Sequence, residues 1–104
     1  MNLNQYACYR HTTSISGLEE FHYWKNHYNL HNWMESLWKS KGNDGIFNCE
    51  CLDLSASDID ALELHITQKD FYTEDWQMEE DLKFIRKARE VLDNGLKIVY
   101  DSWL

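Results

Sequence analysis

"DLKFIRKAREVLDNGLKIVYDSW", residues 81–103, reads as a helix, a stop and a strand in one continuous run. Leu82, Ile85, Ala88 and Leu92, with Met78 upstream, recur at the three- and four-residue spacing of one helix face. The spacing predicts a helix over 74–94, capped by Thr73. Its first half is acidic (Glu74, Asp75, Glu79, Glu80, Asp81) and its second half basic (Lys83, Arg86, Lys87, Arg89), the order that a helix dipole favours. Asn94-Gly95 ends the helix, and LKIVYDSW follows as a strand.

Upstream, Ser55 or Ser57 caps a shorter helix carrying Ile59, Leu62 and Ile66, which ends near Lys69. Before it, IFNCECLDL sets Phe47, Cys49 and Cys51 in alternation with Asn48 and Glu50, so residues 46–53 are expected as a strand pairing with 96–103. In the aromatic stretch YWKNHYNLHNWMESLWKSKG, residues 23–42, Asn29 is the expected cap. Leu30, Trp33, Met34, Leu37 and Trp38 then form a core-facing stripe over 30–41, and Gly42 stops it. Trp24, Tyr23 and Tyr28 lie outside that stripe and are free for a partner. Leu18, Glu19 and Glu20 read as the start of a further helical segment, and Gln5–His11 as a strand. Helices and strands mix without a βαβ rhythm. The expectation is one α+β domain over residues 1–104, a short antiparallel or mixed sheet covered by about three helices.

With 43% hydrophobic and 14% aromatic residues in 104, the chain has enough apolar material to fold as one globule. No apolar run approaches the roughly 18 residues that span a bilayer, and MNLNQYACYR lacks the apolar core of a signal peptide, so a cytoplasmic protein is expected. Three cysteines in such a setting are read as thiols. The net charge of −8 is concentrated: residues 50–81 hold eleven acids against Lys69 alone. Such a field repels nucleic-acid phosphates and favours basic partners. The expected partner is therefore a basic protein, met through Asp58, Asp60, Glu63, Glu74, Asp75, Glu79 and Glu80, with Phe71, Tyr72 and Trp76 as apolar anchors. The same carboxylates also keep a small protein soluble.

Chemistry-bearing patterns are weaker. Cys49-x-Cys51 with His22, His27 and His31 offers zinc-type ligands, but the cysteine spacing is not the usual C-x₂₋₄-C, and a cap at Asn29 breaks the His27/His31 helical register. No metal or other cofactor is expected. Neither a Walker A loop nor a G-x-G-x-x-G is present, and no Cys–His or carboxylate pair carries a catalytic signature. As a small-ligand site, Tyr100, Asp101, Ser102 and Trp103 combine with Tyr23, Trp24 and His31 to offer aromatic surface, an acceptor and a donor; the competing reading makes Trp103 a packing residue of the last strand.

Three stretches, YWKNHYNLHNWM (23–34), FNCECLDLSASDIDALE (47–63) and DLKFIRKAREVLDNGLKIVYDSW (81–103), resemble a family of small uncharacterised proteins encoded by tailed bacteriophages. The family pattern reads YWRK…LH-x-WM, FNC-x-P-V-x-L before an acidic helix, and DL-x-FI-x-KAR…G-x-x-x-x-YDSW. The likeness covers about half the chain and is densest from Asp81 to Trp103. Some members carry a phosphoglycerate kinase label, yet that enzyme is a much larger two-domain protein, and none of its glycine-rich or basic motifs occurs here. Cys51 stands where the family has proline, which weakens a metal pair with Cys49, and DFYTEDWQ replaces an aromatic–glycine run. The resemblance implies an accessory protein acting in the host cytoplasm, binding and inhibiting or modulating a host protein, including a defence factor. Sequestration of a small molecule or nucleotide signal is the alternative, and a small enzyme of phage metabolism ranks third.

Overall fold

At Gly95 the backbone adopts φ 76°, and the helix Asp75–Asp93 reverses there into the strand Leu96–Trp103. The computed structural model describes residues 2–11, 18–48, 50–68 and 75–103. In chain order these form β1 (Asn4–His11), β2 (Glu19–Lys25), α1 (Tyr28–Ser40), β3 (Leu52–Leu54), α2 (Ala56–Ile66), α3 (Asp75–Asp93) and β4 (Leu96–Trp103). The strands make one four-stranded sheet in the order β2-β1-β4-β3, with every neighbouring pair antiparallel. The fold is α+β, as expected, and the expected 46–53/96–103 pairing is present at Leu52–Leu54.

Strand alternation puts Gln5, Ala7, Trp24, Leu52, Leu54, Ile98, Tyr100 and Ser102 on the buried face under the helices. From above, α1 contributes Leu30, Met34 and Trp38, α2 contributes Ile59, Leu62 and Ile66, and α3 contributes Phe84, Ile85 and Ala88. Trp24 sits at the centre, edge-on to Phe84 at 4.9 Å and against His22 at 4.5 Å between ring centroids. Such aromatic contacts add to the area each ring removes from water. None of the described helices is long and apolar enough to cross a membrane.

Four sequence expectations need correction. Residues 19–25 are a strand, not a helix start: the aromatic run EEFHYWK pairs with β1, and pairing overrides the acidic-first-turn signal. That pairing holds a bulge, since Ala7 faces His22 while Cys8 faces Glu20, so Phe21 is an added residue. Phe21 and His22 consequently both reach Phe84 of α3, at 5.8 and 5.9 Å. Second, α1 is capped by His27 instead of Asn29 and begins at Tyr28. Third, the strand expected over 46–53 is confined to Leu52–Leu54; Phe47 is buried instead by stacking on His31 and Tyr100. Fourth, α3 is rotated from its expected face: Gln77 and Asp81 are buried while Met78 is 38% exposed. Thr73, Cys49 and Lys69 lie outside the described residues.

The junction between β2 and α1 is pinned twice, to Leu3 just before β1 and to Gln5 within it. Asn26 takes φ 58°, a left-handed conformation that asparagine tolerates, and exchanges hydrogen bonds with Leu3 in both directions, at 2.7 and 2.8 Å. One residue on, the Gln5 amide does the same for the His27 backbone, accepting from its N–H at 2.8 Å and donating to its carbonyl at 3.0 Å. Together these satisfy main-chain groups that a sharp turn into a helix leaves unpaired.

The α3–β4 turn yields a direct test. A Cβ at Gly95 would meet nothing within 4 Å, so the only penalty on Gly95→Ala is the positive φ. The expected loss is about 1–2 kcal/mol in urea unfolding, with Gly95→Asn losing less. Equal stability of the alanine variant would show that the turn relaxes out of the left-handed region.

Candidate functional site

Polar side chains occupy the middle of the buried layer. Asp81 enters it from α3 because its carboxylate finds donors there: Trp24 Nε1–H at 2.9 Å from Oδ1, and His27 Nε2 at 2.8 Å from Oδ2. The Asp81 and His27 side chains are both fully buried. The Leu30 N–H, in the first turn of α1, points at His27 Nδ1 from 3.5 Å, which leaves the ring proton on Nε2, facing Asp81. Both ring nitrogens are engaged and neither side chain is exposed. This His–Asp pair is a clamp between β2, the start of α1 and the middle of α3.

A second branch runs through Tyr100. Gln5 Nε2–H donates to the Tyr100 hydroxyl at 3.0 Å, and the hydroxyl lies 3.0 Å from His31 Nδ1, so its proton goes to that nitrogen. The other side of the His31 ring bonds the Phe47 backbone. Burial pushes the Tyr100 phenol far above its ordinary value and holds His31 below the usual imidazole range. Ser102 Oγ lies beside the Tyr100 hydroxyl, yet it is buried and completes no hydrogen bond of good geometry among the described residues. His22 is likewise held below the imidazole range, by burial first and by the Lys87 ammonium second. Its Nε2 sits 3.3 Å from Glu80 Oε2 but out of line for a hydrogen bond.

The small-ligand set from the sequence divides between two faces. Trp24, His31, Tyr100 and Ser102 are buried in the network, whereas Tyr23, Asp101 and Trp103 lie on the opposite, uncovered face, as alternation along β2 and β4 requires. There the Tyr23 hydroxyl donates to Asn4 Oδ1 at 2.6 Å, and its ring lies 5.3 Å from Tyr6. His27 and His31 turn to separate partners, and Cys51 is exposed on the far side.

The acidic set also divides. Asp58 closes the capping box of α2 with Ser55 and meets Lys41 Nζ at 2.7 Å. Burial would raise its carboxyl, but Lys41 and Ser55 outweigh that and hold it below the ordinary value. Asp60 and Glu63 take the two arms of Arg89, at 2.7 and 2.6 Å, tying α2 to α3. Phe71, Tyr72 and Glu74 lie outside the described residues, and Asp75 opens α3. At the other end of this set, Trp76, 43% exposed, packs its ring 6.2 Å from His27. That contact brings it to the end of the molecule where Tyr28 begins α1, 46% exposed. Met78 and Glu79 are exposed in the same first turns of α3, and Glu80 pairs with Lys83 at 3.7 Å.

Comparison with protein-family models, with curated proteins and with solved structures found no match.

The two depressed histidines set a pH dependence. His22 and His31 are neutral in the fold and bind protons near pH 6.5 when unfolded, so the unfolded chain takes up more protons as pH falls. Their contribution is complete above that value and is lost below it. Each can steepen the decline by at most about 1.4 kcal/mol per pH unit. Urea midpoints are expected to drop between pH 7 and pH 5, before carboxylates titrate; a flat profile over that window would contradict the assignment.

Proposed function

We propose that this protein is a small binding protein that engages a basic protein partner through the end of the molecule where α1 and α3 begin. The observation that carries this reading is the exposure of Tyr28 and Trp76, both set beside His27, with Met78 and Glu79 exposed on other sides of the same turn of α3. Large apolar side chains held in water beside carboxylates suit an interface with aromatic anchors and an acidic rim. Carboxylates there speed encounter with a positively charged surface, and the anchors slow dissociation. Asp58, Asp60 and Glu63, already paired with Lys41 and Arg89, contribute mainly to the negative field. The resemblance to small tailed-phage proteins supports a host protein as the partner, in the host cytoplasm, with inhibition or modulation of that protein as the outcome. Nucleic acid is a poor partner for a chain of net charge −8.

The test is affinity capture from bacterial lysate at low and high salt, with two variants alongside the unaltered protein. Trp76→Ala with Met78→Ser should weaken a captured basic partner by about 30-fold or more, the scale of a lost hot spot. Glu79→Gln with Glu80→Gln should weaken it at low salt and flatten its salt dependence. Circular dichroism confirms that each variant is folded. A partner held equally well by both variants would remove this end of the molecule from the interface.

A further inference from the structure

Some 16 Å or more along α3 from Trp76, by the helical rise, a groove of about 290 Å³ opens beside the β1–β2 pair. Its apolar lining comes from Tyr9, Phe21, Val91 and Leu96, and its polar groups are Lys87, Glu90 and Asn94. The β-bulge creates it: as an added residue, Phe21 turns toward α3. By the roughly 30 Å³ a water molecule occupies, the space suits about ten non-hydrogen atoms, the size of a free amino acid.

Neither charged side chain of the groove has an ion-pair partner among the described residues. Among the described residues Lys87 Nζ meets two neutral groups at close range, the Phe21 carbonyl at 3.3 Å and His22 Nδ1 at 3.4 Å. Lys87 and Glu90 stand one helical turn apart and face the same space. A simple anion would satisfy Lys87 but meet repulsion from Glu90, and a simple cation the reverse. A ligand bearing both signs on neighbouring atoms satisfies both.

We propose that this groove binds a free α-amino acid with an apolar or aromatic side chain: carboxylate to Lys87, ammonium to Glu90, and side chain against Phe21, Val91 and Leu96. The Tyr9 hydroxyl already donates to Glu19, so Tyr9 supplies ring surface. This site is independent of the partner-binding end of the molecule and shares no residue with it.

The experiment is an amide NMR titration of the full chain with L-phenylalanine, L-leucine and glycine at up to millimolar concentration. Saturable shifts are expected for the first two, centred on residues 87–96 and on Phe21, with glycine weaker. N-Acetyl-L-phenylalanine lacks the ammonium and L-phenylalaninamide lacks the carboxylate; each should bind about tenfold more weakly or worse, a loss of roughly 1.4 kcal/mol. Glu90→Gln, at an exposed position, and Lys87→Gln should each weaken L-phenylalanine by a similar factor. A bound carboxylate also offsets the Lys87 field on His22, so the His22 titration followed by imidazole proton shifts should move upward on saturation. Absence of saturable shifts with every amino acid would overturn the site. So would equal binding of the blocked analogues, or binding unaffected by Glu90→Gln.

Discussion

A single carboxylate buried among ring N–H groups holds the layers of this protein in register. Asp81 accepts from Trp24 of β2 and from His27, the cap of α1, while standing on α3. Gln5 of β1 grips the His27 backbone and passes a hydrogen bond to Tyr100 of β4, which continues to His31 of α1. Three strands and two helices thus meet in one connected set of polar contacts. Apolar burial supplies the drive to collapse, at about 25 cal/mol per Å², but it is indifferent to which rotation of α3 does the burying. The network is not indifferent, because any other rotation leaves a buried donor or acceptor unmatched.

This constraint explains why the outside of the molecule is divided as it is. Once Asp81 and Gln77 take the inner face of α3, Trp76 and Met78 are left exposed on its two flanks and Glu79 on its outer side, at the end of the molecule assigned to a partner. Further along, Phe84 and Ala88 remain inside while Lys87, Glu90 and Val91 border the groove made by the Phe21 bulge. Both proposed binding regions follow from how α3 is turned about its axis.

Much of the architecture was legible in the sequence because it is written in periodicity. The stripe from Leu30 to Trp38, the Ile59–Leu62–Ile66 face and the Gly95 stop all act locally and are found where spacing put them, and of the two candidate caps Ser55 and Ser57 it is Ser55 that caps α2. Failures cluster where a distant partner decides. Glu19 and Glu20 look like a helix start until β1 is beside them, and Met78 looks buried until Asp81 displaces it. The candidate ligand set failed to converge for a simpler reason: Tyr100 and Ser102 are separated from Asp101 and Trp103 by the two-residue period of a strand. The shared network of Gln5, His27 and Asp81 had no spacing to announce it: His27 read as a zinc-type ligand, Asp81 as one acid of the helix's first half, and Gln5 as a strand residue. Gln77, Asp81, Phe84 and Ala88 do follow a helical period, and that was the available signal.

Burying a carboxylate is expensive unless its acceptor sites are met, and removing it strands the donors that turned toward it. The most direct measurement is therefore the urea unfolding free energy of Asp81→Ala at neutral pH. The structure predicts a loss of about 3–5 kcal/mol, or failure to fold, because Trp24 Nε1–H and His27 Nε2–H lose their acceptor without access to water. A loss of only about 0.5 kcal/mol, the scale of an ordinary surface substitution, would contradict the central role given to this carboxylate.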